Sequence, residues 1–326
     1  MDREHQGAFR ALPFVAAMLL LTLLPLTQTQ ALFGFGKQET SVTAPGAPIA
    51  KDLELKAYGG VPCPGTLQAV DNEGESVVFS IVQPPKKGVL ELSEDGSAFV
   101  YTPGKNRGGK DRFTFIATDE SGNASAEATV TIRIERMASG VRYSDTDASS
   151  AATAAADLAE HGVFVGEQVG GEWFFEPERV VSRGEFTAMA LAAAGVEPVD
   201  VGATGFCDDA EIPAWAKSVA AAALKCGVVK GTPTDEGFAY RADADVTLGE
   251  AAVMLNRVLK VTNVDPETLY APAEDAWSAQ AIANLSSVSV VPSGGFSEGA
   301  ASRSLTRAQA AELLSAAMTL AEGRRG

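Results

Sequence analysis

Short runs that alternate apolar and polar residues fill the chain from about Ile49 to Glu135. Turn-forming residues separate these runs at intervals of roughly 8–12 residues, which is the spacing of a β-sandwich. Alternation with a period of two puts one set of side chains on a core and the other in water. The pattern predicts an all-β sandwich with strands at Leu53–Ala57, Thr66–Ala69, Val77–Ile81, Gly88–Leu92, Ala98–Tyr101, Phe113–Thr118 and Ala126–Ile134.

After a short linker the pattern becomes helical, and one unit is repeated three times. Trp215 lies 12 residues before Gly227, and Trp277 lies 12 residues before Ser289, while the same offset before Gly162 falls on Ser150. A repeat at a fixed period is one supersecondary unit used several times. The three units run from about Tyr143 to Val196, Phe206 to Val261 and Ala271 to Leu320.

Each unit contains a Ser/Thr-x-x-Glu/Gln phrase, at Val181–Glu185, Val246–Glu250 and Leu305–Gln309. This is the capping box, in which the N-cap hydroxyl and the N3 side chain satisfy each other's backbone N–H groups. The phrases therefore predict helices at Phe186–Ala194, Ala251–Lys260 and Ala310–Ala321, and they explain their own polar residues without any functional role.

Arg183 and Arg307 follow the N-cap in two of these phrases. A cation is disfavoured there by a few tenths of a kcal/mol, because it meets the positive end of the helix dipole. Two interpretations are open. The arginine and free backbone N–H groups beside it form an anion site, or the arginine pairs with a nearby acid.

Length, charge and composition exclude several classes of function. The 326 residues suffice for two or three domains, and the formal charge is −16. Such a chain has no clustered basic surface for nucleic acid or for anionic lipid. With two histidines and no legible arrangement of nucleophile and base, the sequence indicates a protein that is not an enzyme.

Residues 1–31 read as a signal peptide that is removed on export, with a basic start and an apolar run too short for the ~20 residues of a membrane span. A retained anchor is the alternative. The predicted organisation is a signal peptide at 1–31, a flexible lead-in at 32–47, the sandwich at 48–136, and repeats at 141–200, 201–265 and 266–322. We expect no membrane contact after cleavage.

The three cysteines, Cys63, Cys207 and Cys226, are too few for a disulfide scaffold. Cys207 and Cys226 flank one predicted helix whose ends are ~18 Å apart, whereas a disulfide needs Cα atoms within about 7 Å. A bridge would require the loop to fold back along the helix. Nor does the chain contain a Cys-x-x-Cys pair for a metal.

The first domain resembles bacterial Ig-like or cadherin-like modules. The residues that carry the resemblance are Ala69–Asp71, Phe79–Ile81, Pro84 and Gly88, Asp95–Ser97, Tyr101–Pro103, Phe113–Phe115 and Asp119–Gly122. Such modules act as spacers or adhesive units. No cofactor is predicted, but some relatives bind Ca²⁺, and the oxygen ligands here would be Asp71, Glu73, Asp111 and Asp119. The alternative is that Asp71 and Asp119 cap turns.

The repeats resemble S-layer homology (SLH) domains. The first unit has Tyr143-Ser-Asp145, Gly162 to Gly166 and Val181–Glu185 but no Trp at the start of its first helix. The second has Phe206-Cys-Asp208 and Trp215, with Leu248 in place of the Arg, and the third has Trp277 and Leu305–Gln309. The resemblance implies an all-α, pseudo-threefold bundle whose grooves bind secondary cell-wall polysaccharide, often pyruvylated.

The same resemblance implies an exported protein at the cell wall or S-layer and a set of polysaccharide-binding residues. They are Asp145, Arg183, Asp208, Trp215, Trp277 and Arg307. Trp215 and Trp277 have an alternative role as core anchors of their helices. A rival function is assembly, in which the Ig-like domain self-associates or binds envelope proteins, with or without calcium.

Overall fold

The computed structural model describes residues 46–147, 149–265, 276–292 and 300–324. The predicted signal peptide and nearly all of the lead-in lie outside these residues. No helix in the described ranges is long and apolar enough to cross a membrane.

The first domain is a sandwich of two main sheets. Its strands are β1 (Ile49–Ala50), β2 (Leu53–Tyr58), β3 (Cys63–Thr66), β4 (Ala69–Val70), β5 (Val78–Gln83), β6 (Gly88–Leu92), β7 (Ala98–Pro103), β8 (Gly109–Thr118) and β9 (Ala128–Glu135). One sheet has the order β2-β9-β8-β5, with β2 parallel to β9, and the other has the order β3-β7-β6. Phe99 from one sheet and Phe113 from the other pack edge to face with ring centroids 5.2 Å apart.

The predicted strand Thr66–Ala69 is wrong. The chain there ends β3, which pairs with β7, and then starts β4, which pairs with β1. Leu67 between them is buried, and its N–H donates to the carbonyl of Ser97. The break exists because the chain passes from one sheet to another pair of strands.

The second half contains six α-helices and two hairpins among the described residues. These elements are α1 (Ala152–Glu160), β10 (Glu167–Val169), β11 (Glu172–Phe174), α2 (Arg183–Ala193), α3 (Ala214–Lys225), β12 (Thr232–Thr234), β13 (Gly237–Ala239), α4 (Leu248–Leu259), α5 (Ala276–Ser287) and α6 (Arg307–Gly323). The expectation of an all-α region is therefore wrong. Gly170 and Gly171, both at positive φ, supply the tight turn that closes the first hairpin.

A closed ring of backbone hydrogen bonds joins the three repeats. The N–H of Val181 donates to the carbonyl of Leu305 at 3.0 Å, Leu305 donates to Val246 at 2.9 Å, and Val246 donates to Val181 at 3.0 Å. All three residues are buried. Each begins one of the predicted phrases, and all three capping boxes are formed. The ring therefore brings the N-termini of α2, α4 and α6 together over one core.

The outer face of each repeat's first helix is covered by the chain that precedes it. Val199 donates to the carbonyl of Ser218 on α3, and Asn284 on α5 donates to the carbonyl of Val261. On α1 this cover is the Ig-like domain, whose Tyr58 packs against Ala152. The sandwich therefore covers the first helix of the first repeat, as the connecting segments cover the first helices of the other two repeats.

Asp157 on α1 is the centre of the contact between the two domains. Its side chain is buried and accepts hydrogen bonds of 2.6 Å from Lys56 Nζ, Tyr58 Oη and Ser315 Oγ. Burial opposes ionisation of Asp157, but hydrogen bonds from Lys56, Ser315 and Tyr58 outweigh it and lower the pKa of this carboxyl. One ionised side chain thus joins β2, α1 and α6.

Candidate functional site

Arg183 reaches from the first repeat to the second. Its Nη1 donates to Glu250 Oε1 at 2.6 Å, and its guanidinium carbon lies 5.9 Å from the centre of the Tyr240 ring. The side chain is 11% exposed, and Nε is buried with no hydrogen-bond partner in the described part of the chain. A buried donor without a partner is costly, and among the described hydrogen bonds of the guanidinium Nη1 alone has an acceptor.

The backbone N–H groups beside Arg183 are not free. Arg183 and Gly184 donate at 2.8 Å to the carbonyls of Ala244 and Ala242, and Glu185 donates to the Ser182 hydroxyl. The premise that free amides make this helix end an anion site is therefore wrong, because the neighbouring repeat occupies them. Any anion contact here must come from the guanidinium.

Arg307 is more deeply enclosed. It is 3% exposed, and its Nη1 donates to the carbonyl of Phe175 at 2.5 Å and to Glu176 Oε2 at 3.2 Å. Its guanidinium carbon lies 4.9 Å from the centre of the Phe164 ring. Burial, together with the charge of Arg179, lowers the pKa of Arg307. The interpretation in which the arginine pairs with a nearby acid describes this residue fully.

Asp145 and Asp208 hold the turns that these arginines contact. Asp145 accepts the N–H groups of Phe175 and Glu176, and Asp208 accepts those of Tyr240 and Arg241. Glu176 and Arg241 both have a positive φ, near 55°, a backbone conformation that residues other than glycine rarely adopt. The two carboxylates therefore position an aromatic residue against the arginine of the neighbouring repeat.

Trp215 and Trp277 are not core anchors, since they are 52% and 56% exposed. Each rests on a glycine of the preceding repeat. A methyl group on Gly184 would lie 3.2 Å from Trp215 Cη2, and one on Gly249 would lie 3.0 Å from Trp277 Cζ2. The interpretation as anchors is wrong because the ring edge meets a helix backbone while much of each indole remains in solvent.

The predicted residues meet across repeat boundaries rather than within repeats. The 1/2 groove comprises Arg183, Gly184, Trp215, Tyr240 and Glu250, with Asp208 behind its wall. The 2/3 groove comprises Gly249 and Trp277, with Leu248 at the position that Arg183 has in the 1/2 groove. The 3/1 groove comprises Arg307, Ala308, Phe175 and Ser150, with Asp145 behind its wall. Among the described residues, the 1/2 groove alone combines an arginine with a tryptophan.

Tyr240, Glu250 and the two glycines were not predicted as groove residues. The sequence does contain a signal for the glycines. Gly184 and Gly249 each face a repeat that has a tryptophan, Trp215 or Trp277, whereas Ala308 faces the first repeat, which has Ser150 at the corresponding position. Ser150 instead donates to Glu312 Oε1 at 2.7 Å. The glycine and the tryptophan therefore form a matched pair.

Of the proposed calcium ligands, Asp71 and Asp119 lie outside the strands, whereas Asp111 lies on β8. Asp71 accepts the N–H groups of Glu73 and Glu75, Asp111 accepts Lys87 N–H and the Tyr101 hydroxyl, and Asp119 accepts Asn123 N–H. No three His, Cys, Asp or Glu side chains in the described ranges are placed to hold a metal. The three cysteines are all unpaired.

Comparison with known families agrees with this architecture. The model of the bacterial Ig domain matches residues 45–133, and that of the S-layer homology domain matches residues 142–187, which is most of the first repeat. The chain carries a bacterial Ig domain followed by an S-layer homology domain. The SLH domain associates it with the cell surface.

Two curated relatives match short stretches of this SLH protein. The exoglucanase XynX of Acetivibrio thermocellus is 37% identical over 76 residues, or 21% of this chain and 7% of that protein. An amylopullulanase of Thermoanaerobacterium thermosulfurigenes is 36% identical over 88 residues, or 26% of this chain and 5% of that protein. The chain thus spans only 5–7% of the length of these relatives.

Solved structures overlay only weakly. An adhesin from Streptococcus sanguinis is 20% identical, with a TM-score of 0.24 over 36% of this chain and 79% of that chain. An endo-fucoidan hydrolase gives the same TM-score over 32% of this chain and 15% of that chain. Overlays at this level support no argument about function.

Proposed function

We propose that this SLH protein is a non-catalytic surface protein held on secondary cell-wall polysaccharide, with the 1/2 groove as its principal binding site. One observation carries the proposal: the guanidinium of Arg183 lies against Tyr240 of the second repeat, and the half-exposed Trp215 of that repeat packs on Gly184, the next residue after Arg183.

The chemistry of the 1/2 groove suits an acidic sugar. An exposed indole presents a flat apolar face with a polar edge, onto which the C–H face of a sugar ring can stack. A guanidinium forms strong, directed hydrogen bonds with a carboxylate, and a pyruvate ketal supplies a carboxylate. Arg183 retains donors for it, since Nη1 alone has a partner among its described hydrogen bonds.

The other predicted residues have structural roles around the grooves. Asp145 and Asp208 position the groove walls, while Arg307 stabilises the 3/1 groove without reaching solvent. The chain's charge of −16 repels an anionic polymer from most of the surface. Binding therefore depends on the local cation in the 1/2 groove and should weaken as salt screens that interaction.

A second candidate function is assembly through the Ig domain. Its edge strands β5 and β6 expose Val78 and Val89, each at 62%. Unpaired edges with exposed apolar residues are templates for pairing with another chain. Sedimentation equilibrium of the full chain tests this function: concentration-dependent oligomers that Val89→Lys abolishes would support it, and a monomer at all concentrations would remove it.

The anchoring proposal is tested by co-sedimentation of the full chain with cell-wall sacculi, before and after chemical stripping of their secondary polymers. The full chain is needed because the Ig domain covers α1. We expect binding to intact sacculi only, and about a tenfold loss of affinity for Arg183→Gln or Trp215→Ala, equivalent to ~1.4 kcal/mol each.

Phe238→Ala is the matched control, since it removes another exposed aromatic ring from the second repeat, on β13. It should leave binding unchanged. A folded chain that does not bind intact sacculi, or one that binds stripped sacculi equally well, would overturn the anchoring proposal.

A further inference from the structure

The three grooves differ in the residue that directly follows the N-cap. Arg183 and Arg307 hold this position in the 1/2 and 3/1 grooves, whereas Leu248 holds it in the 2/3 groove. One backbone contact is common to these helix starts, since Leu248 N–H donates to the carbonyl of Arg303 at 3.0 Å, as Arg183 donates to Ala244. The 2/3 groove therefore lacks the cation that the other two grooves have at this position.

The aromatic platform of the 2/3 groove is intact. Trp277 is 56% exposed, slightly more than Trp215, and it rests on Gly249 as Trp215 rests on Gly184. The buried Ser278 hydroxyl and the carbonyl of Ala301 also lie 3.0 and 3.1 Å from where a Gly249 methyl group would be. Gly249 is therefore the point at which the exposed indole, Ser278 and Ala301 all approach α4, and alanine, although the better helix former, would crowd all three.

Leucine in place of arginine changes what such a platform accepts. A carboxylate brought against Leu248 would lose hydration without gaining a hydrogen-bond partner, which is unfavourable. The C–H face of an uncharged sugar incurs no such penalty. The side chain of Arg303, whose carbonyl accepts the Leu248 N–H, is exposed, so solvent and salt screen its charge, and it does not replace the enclosed guanidinium of Arg183.

We propose that the 2/3 groove binds an uncharged sugar unit of the same polymer whose carboxylate-bearing unit occupies the 1/2 groove. This inference rests on the proposed function. Two sites on one chain that bind one polymer strengthen each other, because the second contact is intramolecular once the first has formed. The protein then selects a polymer in which a charged and an uncharged sugar unit lie at a fixed separation.

The test uses a pyruvylated wall polysaccharide and the same polymer after its carboxylates have been reduced to alcohols. Affinities are measured by biolayer interferometry for the full chain and for Trp215→Ala, Trp277→Ala, Leu248→Arg and Arg303→Gln, each checked for an unchanged melting temperature. On native polymer, we expect both tryptophan variants to lose about tenfold.

On reduced polymer, we expect weaker residual binding that Trp277→Ala abolishes and Trp215→Ala changes less than twofold. Leu248→Arg should raise the ratio of native to reduced affinity, and Arg303→Gln should leave that ratio unchanged. Residual binding that depends on Trp215 instead, or a ratio unaffected by Leu248→Arg, would overturn this inference and leave the anchoring proposal standing. Failure of the unaltered chain to bind native polymer would overturn both.

Discussion

Lys56 of the Ig domain and Asp157 of the first SLH repeat form an ion pair between domains, with Nζ 2.6 Å from Oδ1 and Asp157 only 1% exposed. Tyr58 and Ser315 donate to the same carboxylate, and His161 Nδ1 lies 3.4 Å from its Oδ1. The pair fixes the sandwich on the repeats, because an ionised Asp157 without Lys56 would be a buried charge with insufficient compensation.

We expect Asp157→Asn to destabilise the full chain by about 2–3 kcal/mol, since it leaves Lys56 partly buried beside a neutral group. Urea unfolding at pH 7 measures the loss. Lys56→Met combined with Asp157→Asn should recover part of it, because the double variant has no unpaired charge. A single variant as stable as the unaltered chain would show that the pair contributes nothing to folding.

The same carboxyl predicts a pH dependence. The pKa of Asp157 is lowered in the folded state, so the unfolded state binds more protons whenever the pH is near the ordinary value of about 3.9. Its contribution is therefore present above about pH 4 and is lost as pH falls through the folded pKa. The difference in unfolding free energy between the unaltered chain and Asp157→Asn should shrink below pH 4, as measured in urea titrations. A difference that is constant from pH 7 to pH 3 would contradict this.

Gly184 should control the position of Trp215. Alanine there places a methyl group 3.2 Å from Trp215 Cη2, which is tighter than ordinary contact. We expect Gly184→Ala to shift the tryptophan emission and to weaken polymer binding severalfold, although alanine is the better helix former by up to ~1 kcal/mol. Ala308→Gly, at the corresponding position without a tryptophan, should change neither. Unchanged emission in Gly184→Ala would show that the indole does not depend on this contact.

Local patterns in the sequence predict the capping boxes correctly, because both partners of each box lie within four consecutive residues, as Ser182 and Glu185 do. The grooves were not predictable in the same way. Arg183 and Glu250 are 67 residues apart and meet only because the backbone ring sets the order of the repeats. For Trp215 the sequence leaves two roles open, binding residue and core anchor, because a large apolar residue on a helix is normally buried, and only the glycine of another repeat decides between them.

Glu250 should restrain Arg183 in the absence of polymer. Its carboxylate accepts both Thr247 N–H at the cap of α4 and Arg183 Nη1. Glu250→Gln should preserve the cap, because Gln309 already fills the same role in α6 by accepting Thr306 N–H at 3.0 Å. The substitution removes the negative charge beside Arg183, so we expect severalfold tighter binding of pyruvylated polymer with little change in unfolding free energy. Glu185→Gln is the matched control, since that carboxylate pairs with Arg179 outside the 1/2 groove, and it should leave affinity unchanged. If Glu250→Gln binds more weakly than the unaltered chain, then Glu250 orients Arg183 for the polymer rather than competing with it.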